Sequence, residues 1–173
     1  MGTDATIVID MLNDFIHPDG VLYCGETAER IVPVISRLLH HSRAEGEAVI
    51  YLQDSHTADD KEFDKFPPHC VVDTWGSRII ESLKPETGDR VIAKTRYSGF
   101  YGTDLEQILE QLNPDRVSVV GVCTSICVMD TVGGLVNRDY TVRVPADAVA
   151  DFDAESHIFA LKRMEKIYGA HIV

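Results

Sequence analysis

Residues 117–131 read VSVVGVCTSICVMDT. The stretch begins as an unbroken apolar run, tightens at Gly121, passes Cys123 and Cys127, and continues with helical spacing. An apolar run of this length bounded by a turn signal reads as a buried strand, and the spacing after it as a helix. Here a strand turns into a helix, with two thiols at the junction.

The same alternation extends along the chain. Outward from this stretch, strands are expected at 5–10 (ATIVID), 47–54 (EAVIYLQD), 90–94 (RVIAK) and 140–145 (YTVRVP), with AHIV as a last edge strand. Helices are expected at 27–46, 104–112, about 125–137 and 153–169. The first carries Ile31, Ile35, Leu38 and Leu39 at helical spacing and ends at Gly46 as a C-cap. Pro33 fits the first turn of that helix, which puts its start later than Thr27. Strands alternating with helices predict an α/β fold: a doubly wound, mostly parallel sheet of six strands with helices on both faces, a Rossmann-like three-layer sandwich. The 173 residues suit one domain over 1–173. A chain of this length buries about 70% of its unfolded surface and needs no disulfide staples.

Composition narrows the classes of partner. The net charge of -12 argues against nucleic acid and anionic membranes. Apolar stretches fall short of a membrane span. The opening MGTDATIVID lacks a basic region before an apolar one, so no signal peptide is expected and the cytoplasm is the expected location. Four cysteines in such a chain read as reduced thiols.

In open parallel sheets, ligands bind beyond the carboxyl ends of the strands. Asp10, Asp54 and Lys94 end three expected strands, and Cys127 lies just past the end of a fourth. Charged residues also end strands because strands end at the surface. An acid, a cation and a thiol on one edge nevertheless make a candidate catalytic set. Cys127 falls in the first turn of a helix, where free N–H groups and the dipole favour a thiolate and can hold an oxyanion. Cys123 precedes the turn and is read as a backbone contributor. Both thiols could also be small core residues. A redox pair is a third reading, although C-x-x-x-C is not the C-x-x-C motif.

The long irregular stretch is 54–75, DSHTADDKEFDKFPPHCVVDTW, too long for an idle connection. Asp54, His56 and His69, with Glu62 between them, suit a divalent ion, Zn²⁺ before Mn²⁺ or Fe²⁺. The plain alternative is a polar loop with incidental histidines. Trp75 is expected to pack the loop's end. His17, His40, His41, His157 and His171 are assigned to surface or structural roles.

With these residues assembled, the chain resembles the nicotinamidase branch of the isochorismatase-like cysteine hydrolases. The likeness runs through IVIDMLNDF, DSH…FPPHC with VVDTWG, KTRYSGFYGTDL and GVCTSICV, and covers essentially the whole chain. It implies Asp10, Lys94 and Cys127 as the catalytic set, and Asp54, His56 and His69 as metal ligands, with Glu62 as the fourth that some members use. It implies a cis peptide at Val122-Cys123 and an oxyanion hole from the Cys123 and Cys127 N–H groups. Phe15, Phe66 and Tyr97 match aromatic positions around the substrate ring, and Phe66 stands where many nicotinamidases carry tryptophan. The implied reaction cleaves nicotinamide to nicotinate and ammonia through a cysteine thioester, with the metal orienting the pyridine ring. The implied partners are a small-molecule amide and further copies of the chain in a homo-oligomer. Asp130 and the glycines of VGG (132–134) find no account in the resemblance. The nearest rival is an N-carbamoyl amidase of N-carbamoylsarcosine or ureidoacrylate type, whose members generally lack the metal loop. An isochorismatase proper depends less on a cysteine, so Cys127 argues against it. A non-catalytic metal- or ligand-binding module would leave Asp10, Lys94 and Cys127 idle.

Overall fold

The computed structural model describes residues 4–173. Met1–Thr3, where a signal would begin, lie outside the described residues. The elements are β1 (Ala5–Ile9), α1 (Asn13–Ile16), α2 (Glu26–Ala44), β2 (Ala48–Asp54), β3 (Arg90–Lys94), α3 (Leu105–Leu112), β4 (Val117–Val122), α4 (Met129–Val136), β5 (Val142–Val144), β6 (Val149–Ala150), α5 (Ala154–Lys166) and β7 (His171–Ile172). The sheet has seven strands in the order β3-β2-β1-β4-β5-β7, with β6 paired to β4. All these pairings are parallel. This is the doubly wound α/β fold read from the sequence, with one strand more than the six expected.

Two apolar layers form on opposite faces, as the alternation of side chains along a strand requires. Ile7 and Ile9 of β1 pack with Leu105 and Leu109 of α3 and with Val132 and Leu135 of α4. Val8 of the same strand packs on the other face with Ala28, Ile31, Ile35 and Leu39 of α2. Thr6 shares that second face, and its hydroxyl meets the Ser42 hydroxyl at 3.1 Å inside the layer. The central strands are thus covered on both sides, and their carboxyl ends are where a ligand can approach.

Three local departures from the sequence reading have physical causes. Helix α2 starts at Glu26 and runs through Pro33. Pro33 and Glu29 are exposed, so water can serve the Glu29 carbonyl that Pro33 leaves without an N–H donor. The chain after β4 enters a wide, π-helical turn over Thr124–Val128 before α4 begins. β6 arises because β5 pairs only with the start of β4, at Val117 and Ser118, and leaves Gly121 and Val122 free for Val149 and Ala150.

The glycines of this region are steric solutions. Gly121 has φ +116°, and a Cβ there would run into the Ile9 carbonyl of the neighbouring strand. The VGG of α4 gains an account: a Cβ on Gly134 would meet the Phe100 ring at 2.6 Å, and one on Gly133 would meet Tyr168 at 3.3 Å.

Candidate active site

β2 and β3 end on Asp54 and Lys94, which are Cα partners across the parallel ladder. Both are buried, as are Asp10 and Cys127. Asp10 follows β1 in the left-handed region at φ 52°, where aspartate is tolerated better than most side chains. Its Oδ1 accepts the Asp54 N–H at 2.9 Å. Its Oδ2 lies 2.8 Å from Lys94 Nζ. Nζ also pairs with Asp54 Oδ1 and lies 3.4 Å from Cys127 Sγ. The expected acid, cation and thiol therefore converge on one ammonium group.

Electrostatics assign the resting states. Burial and the neighbouring Asp54 carboxylate push the Asp10 carboxyl up to about 7, while Lys94 pulls it down. Lys94 does not hold Asp10 low, because one ammonium is divided between two carboxylates. Burial opposes charge on Lys94, but Asp10, Asp54 and Cys127 outweigh it and hold the ammonium well above its usual range. Burial lifts the Cys127 thiol well above the ordinary cysteine range; Lys94 opposes this, and Asp10 and Asp54 add to it. The sequence-based expectation of a thiolate favoured by a helix start does not prevail. Cys127 rests as a thiol, and an Asp10 carboxylate oxygen within 4.8 Å of its Sγ is a base in reach.

The loop after β2 supplies a second cluster. Asp54, His56 and His69 each present a ligand atom, all within 4.8 Å of one another. The backbone bridge His56↔Val71 draws the two halves of the loop together. The His69 Nδ1 is 2.9 Å from the Pro67 carbonyl oxygen, an acceptor, so Nδ1 carries the proton and Nε2 keeps its lone pair. The His56 Nε2 is buried without a hydrogen-bond partner and lies 3.6 Å from Asp54 Oδ2. A buried nitrogen lone pair without a partner, beside a carboxylate, is a donor arrangement that suits a cation. Burial resists charge on His56, but Asp54 and Asp60 outweigh it and raise its pKa. Surroundings that favour a proton there favour a metal cation as well. The donor set therefore fits a divalent ion. Glu62 stands slightly apart, with Oε1 3.9 Å from His69 Nε2. A further donor grouping, Asp10, Asp54 and Cys127, already has the Lys94 ammonium at its centre.

A partly open cleft joins the two clusters. Phe15, Phe66, Tyr97 and Val122, expected to touch substrate, line it, together with Asp10, Cys123, Cys127 and Glu62. Leu22, Ile126 and Phe152 line it too and were missed by the sequence reading. The peptide bond between Val122 and Cys123 is cis, as the resemblance implied. The Cys123 Sγ lies 3.5 Å from Cys24 Sγ, while Cys127 faces Lys94. All four cysteines are free. Trp75 is half-exposed and packs edge-on against His17, in keeping with a role at the loop's end.

Three further carboxylates hold this arrangement in place. Asp14 is buried and accepts the Cys70 N–H at 2.7 Å and the Val21 N–H at 3.2 Å, which pins the metal loop to the chain after α1. Asp151, just past β6, accepts the Ser125 N–H at 2.6 Å and so fixes the turn that carries Cys127. Asp60 caps the short 3₁₀ turn Lys61–Asp64 that carries Glu62. Of the histidines set aside as structural, His157 meets Thr124 Oγ1 in the Cys127 turn at 2.9 Å through Nδ1.

Fold and site together define a doubly wound α/β protein with a buried thiol, an acid and a lysine at the strand ends. Comparison with known proteins gives the family. The isochorismatase domain family matches residues 4–173, and the chain belongs to it. The nicotinamidase/pyrazinamidase PncA from Bacillus subtilis has a structure that aligns with TM-score 0.94 and 35% identity over 99% of both chains. The pyrazinamidase of Pyrococcus horikoshii, solved in complex with zinc, aligns with TM-score 0.92 and 30% identity over 98% of both chains. The N-carbamoylsarcosine amidase from Thermoplasma acidophilum aligns with TM-score 0.89 and 34% identity over 98% of this chain and 95% of that one. The chain is thus a hydrolase of the isochorismatase family, related to its PncA-type amidohydrolases.

Proposed function

We propose that the protein hydrolyses nicotinamide, or a closely similar pyridine-type carboxamide, to the acid and ammonia through a thioester on Cys127. One observation carries the reading: the Lys94 ammonium joins Asp10 and Cys127 to Asp54, and Asp54 in turn belongs to the metal-donor set across the same cleft.

The chemistry follows from the resting states. Ionised Asp10 takes the Cys127 proton, and the sulfur attacks the amide carbon. The N–H groups of Cys123 and Cys127 receive the oxyanion, and Lys94 offsets the charge that develops beside it. Asp10 returns the proton to the leaving nitrogen, which departs as ammonia. A water then gives a proton to Asp10 and adds to the thioester carbon. Collapse releases the acid and restores the thiol. Phe15, Phe66 and Tyr97 enclose the ring. A divalent ion held by Asp54, His56 and His69, with Glu62 beside it, would supply a Lewis-acidic anchor for the ring nitrogen. Positioning of this kind, rather than activation of the nucleophile, is the role the cluster's place in the cleft supports.

A second reading has its own support in the likeness to the N-carbamoylsarcosine amidase. It shares the Asp10, Lys94 and Cys127 chemistry and leaves the His56 and His69 donors without a task. The test is ammonia release by the zinc-loaded protein, with nicotinamide, pyrazinamide and N-carbamoylsarcosine compared. Turnover of about 1 s⁻¹ or more on the ring amides supports the proposal. Turnover on the carbamoyl compound alone replaces it with the second reading.

A further inference from the structure

A neutral imidazole offers one nitrogen as donor and one as acceptor, and its neighbours decide which is which. His56 Nδ1 is 3.1 Å from Asp60 Oδ2. A carboxylate only accepts, so Nδ1 carries the proton and Nε2 faces Asp54 with its lone pair free. Asp60 is itself fixed. Arg96 Nη1 donates to both of its oxygens, at 3.0 and 3.1 Å. Its Oδ1 also accepts the Glu62 N–H at 2.9 Å. One carboxylate therefore sets the tautomer of one metal donor and anchors the backbone of a second, and Arg96 ties it to the chain just beyond Lys94 at the end of β3.

We infer that Asp60, clamped by Arg96, is the positioning residue of the metal site: it holds His56 as the Nε2 donor and holds Glu62 within reach of the ion. The inference rests on the reading of Asp54, His56 and His69 as metal ligands. Carboxylate partners of this kind behind a ligating histidine typically change metal affinity by about 10–100-fold.

The test is Asp60→Asn. In that variant the amide oxygen stays with Arg96 and the Glu62 N–H, so the amide NH₂ turns to His56 Nδ1. Nδ1 must then accept, and the proton moves to Nε2. Two measurements follow on the full chain. In metal-free protein at a pH where the ring is neutral, ¹⁵N chemical shifts should report His56 protonated on Nδ1 in the wild type and on Nε2 in Asp60→Asn. In competition with a chromophoric chelator, Zn²⁺ should bind the variant about 10–100-fold more weakly. A merely structural role would lower the melting temperature of the metal-free protein and leave the tautomer where it was. If Asp60→Asn does not fold, Arg96→Gln replaces it and should weaken Zn²⁺ binding toward the lower end of the same range, about tenfold. An unchanged tautomer, or Zn²⁺ affinity within about twofold of the wild type, overturns the inference while the metal reading stands. A wild-type chain that takes up no Zn²⁺ overturns the metal reading itself, and the inference with it.

Discussion

The two ends of the cleft are built in opposite ways. At one end, Asp10 and Lys94 sit at or just beyond the ends of β1 and β3, the two strands that flank β2, and Cys127 lies on the turn after β4. Their positions are inherited from the sheet. At the other end, Asp54 comes from a strand, but His56, Glu62 and His69 come from a loop whose backbone is paired at the bridge of His56 with Val71. Side chains add the rest of its hold: Asp14 on Cys70, Asp60 on His56 and Glu62, and His69 on the Pro67 carbonyl. The reacting end is set first by backbone pairing, with Asp151 steadying the Cys127 turn, and the binding end by carboxylate side chains along a loop. Chemistry should therefore be lost through the groups themselves, whereas binding should be open to loss through their supports.

That contrast can be broken by experiment. The largest effect belongs to Cys127→Ala, which should abolish turnover while Zn²⁺ uptake stays stoichiometric; residual thioester-type turnover in that variant would sink the assignment. Asp10→Asn should cost about 10²–10⁴-fold in kcat, the range for loss of a general base, with little change in metal content. The pH profile sharpens this point. Asp10 works as a base only when ionised, so activity should fall as pH drops through its pKa, which stands near 7. A cation on Asp54 offsets one of the charges that raise that value, so metal loading should move the acid limb to lower pH. Chelation should raise KM more than it lowers kcat; an unchanged KM would show that the loop cluster does not bind substrate. Smallest of all, Asp14→Ala leaves the Cys70 N–H without its partner and should cost about 1–3 kcal/mol in thermal or denaturant unfolding. It should also weaken Zn²⁺ binding and leave the Cys127 reactivity profile in place. Equal loss at both ends would erase the distinction.

The reacting end was legible in the sequence for the same reason that it is rigid. Apolar runs mark strands, strands mark the sheet, and the residues at their ends are then Asp10, Asp54 and Lys94. The glycine and the two cysteines at 121–127 marked the turn after β4. The turn's π-helical form left no trace, because the apolar spacing of Ile126, Cys127 and Val128 suits either helix. β6 was invisible, since two residues are too few to show a period. Asp14, Asp60 and Asp151 looked like ordinary surface acids. Their burial depends on backbone N–H groups that folding brings from elsewhere in the chain, Cys70 in the case of Asp14 and Ser125 in that of Asp151. Phe63, whose ring lies 5.5 Å from His56 and 5.6 Å from His69, was missed for a similar reason. So was the meeting of Cys24 with Cys123, two thiols 99 residues apart in the chain.

The place of Lys94 in the sheet has a further meaning. It ends β3, the outermost strand on its side, which pairs with β2. An edge strand opens more readily than the middle of a sheet, because fewer ladder bonds must break. When β3 lifts, the ammonium leaves and three like-minded groups, two carboxylates and a thiol, lose their shared counterion. Heat should then silence the enzyme before its helices melt, and catalytic output becomes a gauge of whether one peripheral strand is in register.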